Sequence, residues 1–195
     1  MPDRRNRTGL WVSSLSRSRG FHLGVVFSRL LQTIKLQRDA FVWMDFNDRA
    51  TGDAAILVAI TQVLLAMGTG ASIVGLLNPF TLIQLLISGL FFWLIYSGAT
   101  YAIARFIFDG HGGYPFYLRV TGFAYPTLLL VIFTRLVIGS DILALAAGAL
   151  LFVVIVATGI TYIADLSREK AFGAAIGGYI LVIIVQAILS GLRIF

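Results

Sequence analysis

From residue 54 to the last, 195, the chain alternates long apolar runs with short polar breaks. The runs cover 54–77, 80–108, 116–138, 142–164 and 172–194. A helix of about 20 apolar residues crosses the hydrocarbon core of a bilayer, so each run is long enough to span one. The breaks are Asn78-Pro79, the glycine-rich stretch Asp109 to Pro115, Gly139-Ser140-Asp141, and the charged stretch Asp165 to Ala171. None is long enough to fold alone. The pattern predicts an all-α, polytopic integral membrane protein with five transmembrane helices and an amphipathic segment before them on the cytoplasmic side. Five is an odd number, so two equal inverted halves of the kind many transporters use are not available.

Three regions follow. Residues 1–20 are rich in arginine and serine and read as a flexible basic arm. Residues 21–50 carry Leu30, Leu31, Ile34, Phe41 and Val42 at helical spacing, with Arg29, Lys35, Arg38 and Asp39 between them. That predicts an amphipathic helix lying in the membrane interface. Residues 51–195 form the membrane domain, with Thr51 or Asp53 able to accept from free N–H groups at the start of the first helix. The arm also has the composition of a mitochondrial presequence.

Composition supports the membrane reading. Hydrophobic residues make up 58% of the chain and charged ones 12%, about half the charged share of soluble domains. The net charge of +6 would suggest nucleic acid in a soluble protein. Here the basic residues are better used to set orientation and to touch anionic lipid headgroups. In the five-span layout, Arg135 and Arg193 stand on one side and the other thirteen basic residues on the opposite side. The positive-inside rule then places the N-terminus in the cytoplasm and the C-terminus outside. The bacterial cytoplasmic membrane fits first, the mitochondrial inner membrane second. With no cysteine, thiolate chemistry is excluded.

Candidate chemistry is sparse. Arg105, Asp109, Arg119 and Asp165 fall near the cytoplasmic boundary, with Arg105 and Asp109 one helical turn apart if the second helix runs that far. They could hold a headgroup or partner, line a proton path, or simply lock helix ends by ion pairing. Pro126 should bend the third span. Gly68 and Gly70 in the first span read as a small-residue face for close helix packing ahead of a broken helix exposing backbone to an ion or substrate, and the GxxxG of Gly173 and Gly177 in the fifth favours close helix approach, within the chain or with a partner. Gln62, Gln84 and Gln186 are expected to hydrogen-bond other helices. Asp45, Asn47 and Asp48 lack the glycine and glutamate of an EF-hand, since Ala50 and Ile56 stand at those positions. No catalytic pair, phosphate loop or metal-ligand spacing is visible, and no cofactor is expected.

The stretch 99–133, ATYAIARFIFDGHGGYPFYLRVTGFAYPTLLLVIF, resembles the Yip-domain family of membrane proteins in Gly112, Gly113, Phe116, Leu118-Arg119-Val120, Gly122-Phe123 and Pro126. The resemblance implies five spans with a cytoplasmic N-terminus and an external C-terminus. The DLYGP element of the eukaryotic trafficking members is missing, and Gly122-Phe123 replaces their Gly-Tyr. The chain is similar to a compact, prokaryote-like member, and the resemblance implies a fold and no substrate.

The expected function is non-catalytic: an accessory or structural subunit of a larger membrane complex, or a membrane-organising protein. Its partners would be anionic lipid headgroups and other integral membrane subunits or a second copy, with no nucleic acid. The alternative is a small transporter or channel component with a route past Gln62, Arg119 and Asp165.

Overall fold

The computed structural model describes residues 23–191. The arm at 1–20, His22 and Arg193 lie outside the described residues. Within them the chain is all helix, with no strand. Two short helices come first, α1 (Leu23–Ile34) and α2 (Arg38–Phe46). The first span is α3 (Arg49–Gly68), followed by the short α4 (Ile73–Leu76). The second span is α5 (Pro79–Ala102), which widens into a π turn over Ile103–Ile107. The third comprises α6 (Tyr114–Ala124), a 3-10 turn over Tyr125–Leu129 and α7 (Leu130–Ile138). The fourth and fifth are α8 (Asp141–Ile163) and α9 (Arg168–Gly191). All five are long and apolar enough to cross a membrane, and the chain is an integral membrane protein.

The first span is displaced from its expected range. It starts at Arg49 and stops at Gly68, well short of residue 77. The chain then leaves the helix through Gly70, whose φ of +105° suits only glycine. Ser72 accepts from the Gly75 N–H to start α4, and Asn78 accepts from the Phe80 N–H with Pro79 in the first turn of α5. This is the side-chain oxygen and proline arrangement that helix starts favour. Thr51 and Asp53 lie inside α3 rather than capping it.

The spans alternate in direction, so the bundle has two distinct ends. The end bearing α1, α2 and the turns at 108–113 and 164–167 carries most of the described basic residues and is the basic end. Gly70, α4 and Gly139 mark the opposite end. The third span holds the bundle together. Its α6 packs on α3 and α5, its α7 packs chiefly on α8, and α9 fits between α5 and α8.

The segment before the spans is not one surface helix. It breaks at Leu36, which sits at φ 56°, where the Leu36 N–H reaches Thr33 O and the Gln37 N–H reaches Gln32 O. That is a helix-ending motif usually built on glycine, and a leucine there costs about 1 kcal/mol. The break turns α2 into the bundle. Ala40, Phe41 and Met44 are completely buried, because α2 packs on α6 and α8. Gly159 makes the room, since a Cβ there would stand 2.8 Å from the Phe41 ring. By contrast, α1 keeps Phe27, Leu31 and Ile34 exposed on one face. The Arg29 guanidinium stacks over Trp43 at 5.2 Å and ties α1 to α2.

Candidate functional site

Arg119 enters the protein interior from α6, its side chain only 5% exposed. Its Nε donates to Thr51 Oγ1 at 2.9 Å. One terminal nitrogen donates to Met44 O at 2.8 Å and Asp45 O at 2.9 Å. The other donates to Asp48 Oδ1 at 2.8 Å. Met44 and Asp45 close α2, and the last carbonyls of a helix have no partner within it and carry its negative dipole end. The guanidinium therefore caps α2 and staples it to α3. Asp48 is fully in solvent, so the two carbonyls and Thr51 are the partners inside the protein, and the carboxylate contributes at the rim.

The four boundary charges do not form one cluster. Arg119 turns to Asp48, away from Asp109 and Asp165. Arg105 is exposed and donates to Gly110 O at 3.0 Å. It does not pair with Asp109, because the helix widens into its π turn and ends before that residue. Asp109 takes φ 56° and the Gly110 N–H closes on Ala104 O at 2.8 Å. Asp165 has φ 53° and terminates α8. The backbone N–H of His111 reaches Ala164 O at 2.9 Å and ties these two turns together. At the opposite end Arg135 pairs with Asp141 at 2.8 Å, both largely exposed.

The small-residue positions divide. A Cβ on Gly173 would stand 3.2 Å from the Phe108 ring, and one on Gly177 would stand 2.7 Å from Ile103 Cδ1. The GxxxG face is thus filled by the π-turn end of α5 and is an internal contact, not a free partner surface. Gly68 admits Ile132 of α7 in the same way. Gly70 does not pack against another helix. It lies beyond the helix, and no described residue comes within 4 Å of a Cβ placed there, so it serves the turn rather than packing.

One buried polar layer was not anticipated. Trp93 Nε1 donates to Thr121 Oγ1 at 3.0 Å, and Ser97 Oγ lies 2.6 Å from the same oxygen. Tyr96 donates to Ala175 O at 3.2 Å. The i, i+4 spacing of Trp93 with Ser97 and of Tyr96 with Thr100 was the available sequence signal. Thr100 Oγ1 is buried without a hydrogen-bond partner, beneath Gly178.

At Pro126 the third span gives way to a 3-10 turn, and a cavity lies beside it. Proline has no N–H to continue the α ladder, so Gly122 O is taken by the Tyr125 N–H in 3-10 fashion. Beyond it α7 follows α8 and leaves α5. A cavity of ≈ 430 Å³ fills the gap, lined from all five spans by residues including Gln62, Thr69, Leu85, Leu128, Leu145 and Tyr179. It runs along α3 from mid-span at Gln62 to the opposite end at Thr69. Its deep end is polar but uncharged. Gln62 Oε1 accepts from Tyr125 at a long 3.4 Å. Toward the basic end the core is closed by the fully buried Val120 and Phe123.

A second cavity, ≈ 280 Å³, lies at the basic end between the α1–α2 elbow and the ends of α8 and α9. No group of three or more His, Cys, Asp or Glu able to hold a metal occurs among the described residues. Comparison with family models, curated proteins and solved structures gives no match to this chain.

Proposed function

We propose that this chain is a non-catalytic membrane protein of Yip-like architecture that acts through helix–helix and lipid contacts, as an accessory subunit of a membrane complex or as a membrane organiser. One observation carries the reading. Gln84 on α5 and Gln186 on α9 are exposed within their spans, on helices that pack against each other, and both lie toward the opposite end. Neither amide has a hydrogen-bond partner among the described residues. An amide facing hydrocarbon is unsatisfied until another polar group meets it, and such groups bind helices together in membranes. Gly68, Gly173 and Gly177 are filled internally, so these two amides are the polar positions offered to another subunit or a second copy. The thirteen-to-two bias of basic residues supports an N-terminus in the cytoplasm, most simply of a bacterial inner membrane.

A photo-crosslinking residue placed at 186 or 84 in native membranes should capture a protein band. The same residue at the exposed Leu150 of α8 should capture lipid only. Equal, lipid-only products at all three sites would remove the basis of the proposal.

A second reading, a transporter or channel component, is favoured by the cavity that all five spans line. A route past Gln62 would have to open the closed layer at Val120 and Phe123. Flux in proteoliposomes that falls on Gln62→Leu would support it.

A further inference from the structure

The cavity at the basic end is built from three pieces of chain that meet only in the fold. The α1–α2 elbow supplies Leu36. The last turns of α8 supply Thr158, Thr161 and Tyr162, and the start of α9 supplies Arg168 and Phe172. Every contributing span residue lies within two turns of a helix end, which puts the cavity at the depth where hydrocarbon gives way to headgroups. No acidic side chain lines it.

Its polar groups are unevenly engaged. The Thr158 and Thr161 hydroxyls donate back to Val154 O at 2.7 Å and Ala157 O at 2.9 Å. The Arg168 guanidinium and the Tyr162 hydroxyl have no hydrogen-bond or ion-pair partner among the described residues. Free N–H and O–H donors thus share one wall with the apolar Leu36 and Phe172. The strained leucine at the elbow belongs to the same wall. Its φ of 56° puts the turn against α8 and α9, and strain retained at a cavity wall is a mark of sites that bind.

We propose that this cavity holds the phosphate headgroup of an anionic membrane lipid, with Arg168 and Tyr162 donating to the phosphate oxygens. Arginine presents a planar fork that matches two oxygens of a phosphate. Leu36 and Phe172 would lie against the glycerol and upper acyl chain, which favours a lipid over free phosphate. Lys35, next to Leu36, and Lys170, two residues after Arg168, do not line the cavity, and Asp165 and Glu169 offset charge around the start of α9, so the selectivity rests on Arg168 and Tyr162. The proposal deepens the lipid-contact half of the function above and is independent of the Gln84 and Gln186 surface.

The test is native mass spectrometry of the intact purified chain with phosphatidylglycerol and phosphatidylcholine supplied equally. The wild type should retain phosphatidylglycerol preferentially, and millimolar inorganic phosphate should not displace it. Arg168→Gln should lower that preference about tenfold, the loss expected for charge-assisted hydrogen bonds. Tyr162→Phe removes a hydroxyl that holds nothing else in the chain, so it leaves the fold intact and should lower the preference about threefold. Lys170→Gln should leave it nearly unchanged. Equal retention of both lipids, displacement by inorganic phosphate, or an unaltered preference in both Arg168→Gln and Tyr162→Phe would overturn the assignment. Cross-linking at residue 186 would be unaffected by any of these variants, so failure here is distinct from failure of the subunit reading.

Discussion

Replacing Arg119 with leucine tests how the segment before the spans is held. The guanidinium makes four N–H···O contacts, three of them to Thr51 Oγ1, Met44 O and Asp45 O. A hydrogen bond to a charged group contributes about 1.5–3 kcal/mol net, and bonds sharing one donor group are not additive. Losing the set, and leaving two terminal carbonyls of α2 without a partner, should weaken the docking of α2 by about 3 kcal/mol. Leucine recovers part of the stem packing, which keeps the figure from being larger. Phe41 and Met44 remain buried, so the bundle should stay assembled while α2 opens more often. Amide hydrogen exchange over residues 38–46 reports that opening directly. The expected change is roughly a hundredfold faster exchange there, from the same 3 kcal/mol, with the cores of α8 and α9 unchanged. Arg119→Lys should fall between, because a single ammonium cannot reproduce the fork. Arg135→Leu, which breaks only the exposed pair with Asp141, should change stability by less than about 1 kcal/mol. Unchanged exchange over 38–46 in Arg119→Leu would refute the capping argument.

Other variants follow from the packing. Gly122→Ala places a methyl against the Ala54 backbone, at 3.1 Å from its Cα, and should cost about 1–3 kcal/mol, whereas Gly52→Ala meets nothing within 4 Å and should be neutral or slightly stabilising; both are read by thermal unfolding in detergent. Thr121→Val removes the acceptor of the Trp93 indole and should destabilise by about 2 kcal/mol, with a shift in tryptophan emission. Pro126→Ala restores a backbone donor, so the third span should straighten and the larger cavity shrink. The chain has no cysteine, so a single Ala66→Cys gives an unambiguous thiol in that cavity wall, and its maleimide labelling should slow in the Pro126→Ala background. Leu substitutions at Gly173 and Gly177 should unfold the α5–α9 contact itself, seen as aggregation during purification rather than as selective loss of a partner.

The helices were legible because hydrocarbon demands long apolar runs, and proline and glycine punctuate them. Boundaries shifted where the reasons were three-dimensional. Asp53 reads as a cap in sequence, yet α3 continues upstream because Arg119 and Thr51 order the turn before it. The same holds for the charges. Spacing places Arg105 and Asp109 on one face, but the π turn separates them. Arg119 finds its partners in α2 and α3, at sequence separations near seventy residues, and no local pattern encodes that pairing. Pro126 was visible as a break in the α ladder, while the cavity beside it depends on where α5 and α9 stand. The burial of Phe41 required the missing side chain at Gly159, a complementarity between residues far apart in the chain.

The claim that the protein works by contact with other membrane components is tested most directly by mild-detergent affinity purification from native membranes, with mass spectrometry of all retained proteins. Our account expects stoichiometric membrane subunits, or a second copy of the chain, that are lost in the Gln84→Leu, Gln186→Leu double variant. A monodisperse monomer in both proteins, together with solute flux in proteoliposomes, would contradict it.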